Sequence, residues 1–170
     1  MKFRHAITLL ALAVATSAFA ADSPMKQIDF FAGTWQCKGV QTMGGPAIHY
    51  TGTATGTWVL DKKWLDIRVS QVKTKENPTP FSGRSYMGYD QESKKYVQYW
   101  VDNMGGFESA MFNGWSGDKL MWETTAHMGS MSANSRDIFT KNGNNKMTHT
   151  FELEQSGKWT EVMKETCERK

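Results

Sequence analysis

The stretch "GTWQCKG", residues 33–39, sets a tryptophan and a cysteine two residues apart, on one side of any strand. The second of the chain's two cysteines, Cys167, lies three residues before Lys170. What could bring two sulfurs so far apart in sequence together decides the fold. Between them Pro, Gly and Asn recur at short intervals, and the pattern between these breaks alternates. Ten strands are predicted, at 33–40, 47–58, 63–73, 81–89, 95–102, 106–114, 118–126, 133–141, 146–155 and 158–167. The segments "YDQESKK" (89–95), "WSGDK" (115–119), "KNGNNK" (141–146) and "QSGK" (155–158) read as tight hairpin turns, because Asn-Gly, Ser-Gly and Gly-Asp supply positive φ.

Short antiparallel strands at even spacing predict a meander. An open sheet of ten would twist strongly and leave two long edges, and closure removes them. The expected fold is all-β: a single antiparallel up-and-down barrel of eight to ten strands. First and last strands are neighbours in such a barrel, and Cys37 and Cys167 fall on them. A Cys37–Cys167 bridge is therefore predicted, with two free thiols as the alternative. Closing so long a loop would stabilise by about 4–5 kcal/mol in the chain-entropy description. One conflict stands. Cys167 shares its predicted face with Trp159, Glu161, Met163 and Glu165, a mixed set. Either a bulge shifts the phase, or the bridge faces outward while Trp35 does not.

Residues 1–20 read as a signal peptide in bacterial style. Lys2 and Arg4 give a positive start, "AITLLALAVA" an apolar run, and Ala18-Phe19-Ala20 a small-x-small cleavage site. The apolar run is short for a membrane span, so no stable membrane insertion is expected once it is cleaved. Cleavage takes 20 of the 170 residues and leaves 150, enough for one cored domain over 21–170. Losing Lys2 and Arg4 lowers the formal charge by two, from +3 to +1, which gives no electrostatic case for nucleic acid. The expected location is exported, periplasmic or secreted, where an oxidising environment suits the bridge. A short helix is predicted just before the first strand: Ser23 caps it, Pro24 takes its first position, and Ile28 and Phe31 form an apolar pair.

A short helix followed by "FAGTW" resembles the Gly-x-Trp start of lipocalin-like (calycin) proteins, in which the tryptophan plugs the closed end. "GTATGTWVLDKKWL" (52–65), "GYDQESKKYVQYWVDNMGG" (88–106) and "VMKETCERK" (162–170) are together similar to a bacterial domain-of-unknown-function family of exported calycin-like barrels. The resemblance spans the mature chain. It implies a fold and no activity, and the short loops leave no room for a lipocalin's large capping loop.

Small barrels either fill with side chains or enclose one ligand. Seven tryptophans spread over the strands suggest enclosed aromatic space. Gln98, Trp100 and Asp102 share one face, and Met147, His149, Phe151 and Leu153 share another, which makes His149 the histidine expected to point inward. In 63–73 the Leu65-Ile67-Val69 face is the more apolar, which sends Asp66 and Arg68 outward. The expected function is non-catalytic binding of a small, mostly apolar molecule inside the barrel. The predicted lining is Trp35, Arg84, Tyr86, Gln98, Trp100, Met111, Trp122 and His149, with Arg84, Gln98 and His149 orienting a polar end. One bulge would invert every assignment beyond it.

No nucleophile elbow, histidine-rich metal spacing or phosphate loop is found, and no cofactor is expected. Glu123, Asp137 and His127 could be imagined as an acid–base set, but nothing fixes their spacing. Two alternatives remain. One is an envelope interaction module with a packed core. The other is soft-metal binding, copper in particular, at "HMGSM" through His127, Met128 and Met131, which offer imidazole and thioether donors. Ten methionines beyond Met1 are also what an irregular core would use as filler.

Overall fold

The computed structural model describes residues 23–43 and 45–170; the leader predicted at 1–20 lies outside them. Ten strands follow one another in antiparallel order: β1 (Gly33–Gln41), β2 (Ile48–Val59), β3 (Trp64–Gln71), β4 (Ser82–Asp90), β5 (Lys95–Asp102), β6 (Phe107–Phe112), β7 (Lys119–Met128), β8 (Met131–Lys141), β9 (Lys146–Gln155) and β10 (Lys158–Arg169). Each pairs with its sequence neighbours and β10 pairs with β1, so the sheet closes into a barrel. The hairpin chemistry is where the sequence places it. Ser156 and Gly157 both have positive φ in "QSGK", and Gly143 and Gly117 do so in their turns.

Closure brings Cys37 opposite Cys167 in the β1–β10 ladder, and the two form a disulfide. Both are buried, so the bridge lies on the inner face with Trp35. The conflict over β10 is resolved by a β-bulge between Glu161 and Met163. Before it, Trp159 faces outward under the Arg136 guanidinium; after it, Met163, Glu165 and Cys167 face inward. One extra residue exchanges the faces.

The end of the barrel near Trp35 is closed by a 3₁₀ helix, Pro24–Phe31, whose Ile28 and Phe31 are buried as expected. Ser23 does not cap it with its side chain; instead its backbone carbonyl accepts from the Lys26 N–H. The helix is held by barrel side chains that donate into its carbonyls. Tyr96 Oη donates to Pro24 O (2.6 Å), Trp115 Nε1 to Gln27 O (2.9 Å) and the Arg169 guanidinium to Phe30 O (2.8 Å) and to Ala32 O. Carbonyls that a short helix leaves open are satisfied in this way. The Arg169 guanidinium also lies over the Trp35 ring at 4.2 Å.

Gly56 on β2 lets the helix come this close. A Cβ there would sit 2.2 Å from the Phe31 carbonyl oxygen and 3.1 Å from the Ala32 Cα. Gly56→Ala must lift the helix end off the barrel. The expected loss is about 2 kcal/mol, within the usual range for overpacking, read from urea unfolding.

Candidate functional site

Period-2 alternation and the closed register decide which side chains enter the barrel. The interior holds a cavity of about 190 Å³, bounded by Phe31 at the helix end and reaching the opposite rim, where exposed Met43 and Phe107 flank it. Its walls are mainly apolar and aromatic, with Trp100, Trp122, Phe139, Phe151, Met87 and Val69 among them. At the rim, buried Asn77 of the β3–β4 loop donates to Gln71 Oε1 (2.9 Å), and Gln71 donates to Gln41 Oε1 (3.1 Å).

Of the predicted lining, Gln98, Trp100, Trp122 and His149 do line this cavity. Trp35 does not: it is buried below it, in the floor with the helix. Arg84, Tyr86 and Met111 are corrections, because all three lie on the outer wall. Arg84 makes two hydrogen bonds to Asp66 (2.7 and 2.6 Å), and Arg68 makes weaker ones to the same carboxylate. The guanidinium of Arg84 lies over Tyr86 on that outer face, and Met111 is half exposed. Glycine makes room within the wall. A Cβ on Gly83 would stand 2.1 Å from the Trp100 ring, which therefore lies flat across β4 and stacks on Phe81. Trp100 Nε1 donates to Asp102 Oδ2 (3.1 Å).

Within the apolar walls lies a polar cluster that strand-by-strand reading missed. His149 sits between two carboxylates, with Nε2 at 2.7 Å from Asp137 Oδ1 and Nδ1 at 3.3 Å from Glu165 Oε1. Phe139 stacks on its ring with centroids 4.0 Å apart. Tyr50 Oη donates to Glu165 Oε2 (3.0 Å), reaching over Gly39 of β1, where a Cβ would meet that hydroxyl at 2.8 Å. Across the cavity, Glu108 accepts from Trp122 Nε1 (3.4 Å) and lies beside Gln98. Three side-chain atoms of this region have no hydrogen-bond partner: Gln98 Oε1, Ser85 Oγ and Asp137 Oδ2.

Burial alone would favour a neutral His149, but the hydrogen bonds and charges of Asp137 and Glu165 outweigh it and raise its pKa to about 9. The ring is an imidazolium at neutral pH, with both nitrogens engaged, so neither presents a lone pair. Burial first, and then the charge of Asp137, push Glu108 up to about 8. Burial and Glu165 also raise Tyr50, which stays a hydroxyl donor.

The imagined acid–base set is not assembled: Asp137 is inside, Glu123 is exposed beside Arg136, and His127 is at the rim. His127 stacks on Phe107 (4.3 Å) and its Nδ1 meets Ser132 Oγ (2.8 Å). Met128 and Met131 close the β7–β8 hairpin as a ladder pair, and Met131 is exposed. Among the described residues, the grouping of His, Cys, Asp and Glu donors close enough for an ion is Cys37, Glu165 and Cys167, and both sulfurs are in the bridge.

Fold and site together define a closed ten-stranded antiparallel barrel with polar groups gathered inside an apolar wall. Residues 22–169 match the family described as "Protein of unknown function (DUF1579)", and the chain belongs to it. No curated protein matches. The solved structure of Rv2717c from M. tuberculosis superposes with a TM-score of 0.64 over 87% of this chain and 98% of its own, at 11% identity. That likeness is one of fold. A redesigned β-barrel aligns over 84% of this chain and 93% of its own at 12% identity, with a TM-score of only 0.39.

Proposed function

We propose that the protein is an exported, non-catalytic binding barrel whose interior takes one small molecule with an apolar body and a polar end. The observation that carries this reading is the juxtaposition of an aromatic-walled cavity with buried polar atoms left without partners. Buried polar groups are nearly always paired, and a small-molecule site needs this combination of apolar wall and few convergent polar groups. The volume, about 190 Å³, suits a body of one aromatic ring with a short chain. Both nitrogens of His149 being engaged supports binding over proton transfer. The disulfide is consistent with an oxidising compartment, which fits the leader predicted at 1–20. Among the described residues no helix is long and apolar enough to cross a membrane.

The test is titration with a neutral, environment-sensitive aromatic dye, together with a variant that fills the cavity. Ala126 is buried and lines it, so Ala126→Phe adds volume where space exists. Saturable one-to-one binding that weakens at least tenfold in Ala126→Phe, with folding retained, is the expected result. Dye binding that Ala126→Phe leaves unchanged would place the dye on the outer wall and overturn the reading. Absence of dye binding would favour an interaction module acting through its surface.

A further inference from the structure

The hydrogen-bond inventory of the cavity is one-sided. Its tyrosine and tryptophan donors and the imidazolium are already engaged: Tyr50 Oη on Glu165, Trp122 Nε1 on Glu108, Trp100 Nε1 on Asp102, and both nitrogens of His149 on carboxylates. The lining atoms left without a partner are oxygens, while the one such donor, Trp35 Nε1, lies in the floor outside the lining. Gln98 Oε1 and Asp137 Oδ2 can only accept, and Ser85 Oγ can accept or donate. Gln98 is 2% exposed, Ser85 4% and Asp137 6%, so their open valences are not met by bulk solvent. The charge is one-sided too, since two carboxylates face a single imidazolium.

We infer that the buried end of the ligand is an amine carried as its ammonium, so that the barrel selects small organic cations with a compact apolar body over neutral or anionic molecules of the same shape. The inference rests on the binding-barrel reading and narrows it. An ammonium brings three donors and a positive charge to a place that has acceptors without partners and an excess of carboxylate. A carboxylate ligand would bring a third negative charge beside Asp137 and Glu165 into an apolar-walled site.

Glu108 gives the inference a pH signature. The titratable groups around it are Asp137 on β8, His149 on β9, Glu165 on β10 and Tyr50 on β2, with Asp102 of β5 and His127 of β7 toward the rim. Burial and Asp137 keep its carboxyl protonated up to about pH 8. A docked ammonium favours the ionised form, so Glu108 releases its proton to solvent on binding. Amine affinity therefore rises with pH between about 6 and 8.

Calorimetric titration of the wild-type protein at pH 7 with 2-phenylethylamine, 2-phenylethanol and phenylacetate tests this without any variant. The amine is expected to bind at least tenfold more tightly than the alcohol, with phenylacetate weakest. Its affinity should climb severalfold from pH 6 to pH 8, and Glu108→Gln, which keeps an acceptor for Trp122, should flatten that climb. Alcohol binding as tight as amine binding would overturn the cation inference and leave the binding barrel standing, as would tightest binding of phenylacetate. If none of the three binds and the neutral dye also fails, the binding reading falls and takes this inference with it.

Discussion

Replacing Cys37 and Cys167 together by alanine is expected to lower the melting temperature by about 10 °C or more. The bridge joins residues 130 apart in sequence, and a crosslink closing so long a loop removes chain entropy worth about 5 kcal/mol from the unfolded state. At about 2–4 °C per kcal/mol for a domain of this size, the shift is large. The native barrel should survive, because β1 and β10 are also joined by a ladder running from Trp35–Arg169 to Gln41–Met163. The variant is thus expected to show the wild-type far-ultraviolet spectrum at 25 °C and an early, cooperative thermal transition. Reduced wild-type protein should melt with it. A shift of less than 2 °C would mean that the ladder alone holds the barrel closed and that the unfolded chain is already compact there.

The second large effect concerns His149. Its ordinary pKa of 6.5 rises to about 9 in the fold. An unfolded chain releases this proton near pH 6.5, and the native one keeps it to about 9. The contribution is therefore fully present below pH 6.5 and is lost as pH rises through 9, on the order of 3 kcal/mol. Glu108 acts in the same direction, since its carboxyl ionises near 4.5 when unfolded and only near 8 when native. Between those values the native state holds the extra proton, and stability falls as pH rises. Asp66, whose carboxyl the Arg84 hydrogen bonds hold below its ordinary value, works the other way at acid pH. The melting temperature should therefore be highest near pH 5 and decline steadily to pH 9.5. His149→Gln leaves Asp137 and Glu165 facing each other without the imidazolium, at an expected cost of about 3–5 kcal/mol at pH 6. It should also remove much of the decline above pH 7. Melting curves of wild type and variant across pH 5–9.5 check both, and a wild-type profile flat over that range would contradict the charge assignment.

The barrel was legible because its signals are local. Ser156-Gly157 and Gly143 supply the φ that hairpins demand, and the single pair of cysteines belongs on strands that only closure makes neighbours. The inward set was legible only in strands whose two faces differ strongly in polarity. Leu65, Ile67 and Val69 against Asp66 and Arg68 is such a case, and the structure agrees with it. Met111 was misplaced because "FESAMF" offers Phe107 and Met111 on one side and Glu108, Ala110 and Phe112 on the other. The barrel buries the side that carries a carboxylate. Arg84 and Tyr86 failed for a related reason: Ser85 and Met87 point inward, and the larger, more distinctive residues lie outside. The polar cluster escaped because its members come one per strand from β2, β6, β8, β9 and β10. A single strand pattern shows Glu165, Asp137 or Tyr50 only as one polar residue in an alternation. Gly39, which makes room for the Tyr50–Glu165 hydrogen bond, reads in sequence as an ordinary weak point of a strand.

The central claim is that the barrel interior, not its wall, receives a ligand. The indole N–H signals of the tryptophans report on it directly in a two-dimensional ¹H–¹⁵N spectrum, because Trp100 and Trp122 line the cavity whereas Trp64 and Trp159 pack on the outer face. On titration with 2-phenylethylamine the account predicts saturable shifts of the Trp100 and Trp122 signals, with Trp64 and Trp159 unmoved. Shifts confined to Trp64 and Trp159 with the amine and with the neutral dye alike, or none with either up to its solubility limit, would contradict it.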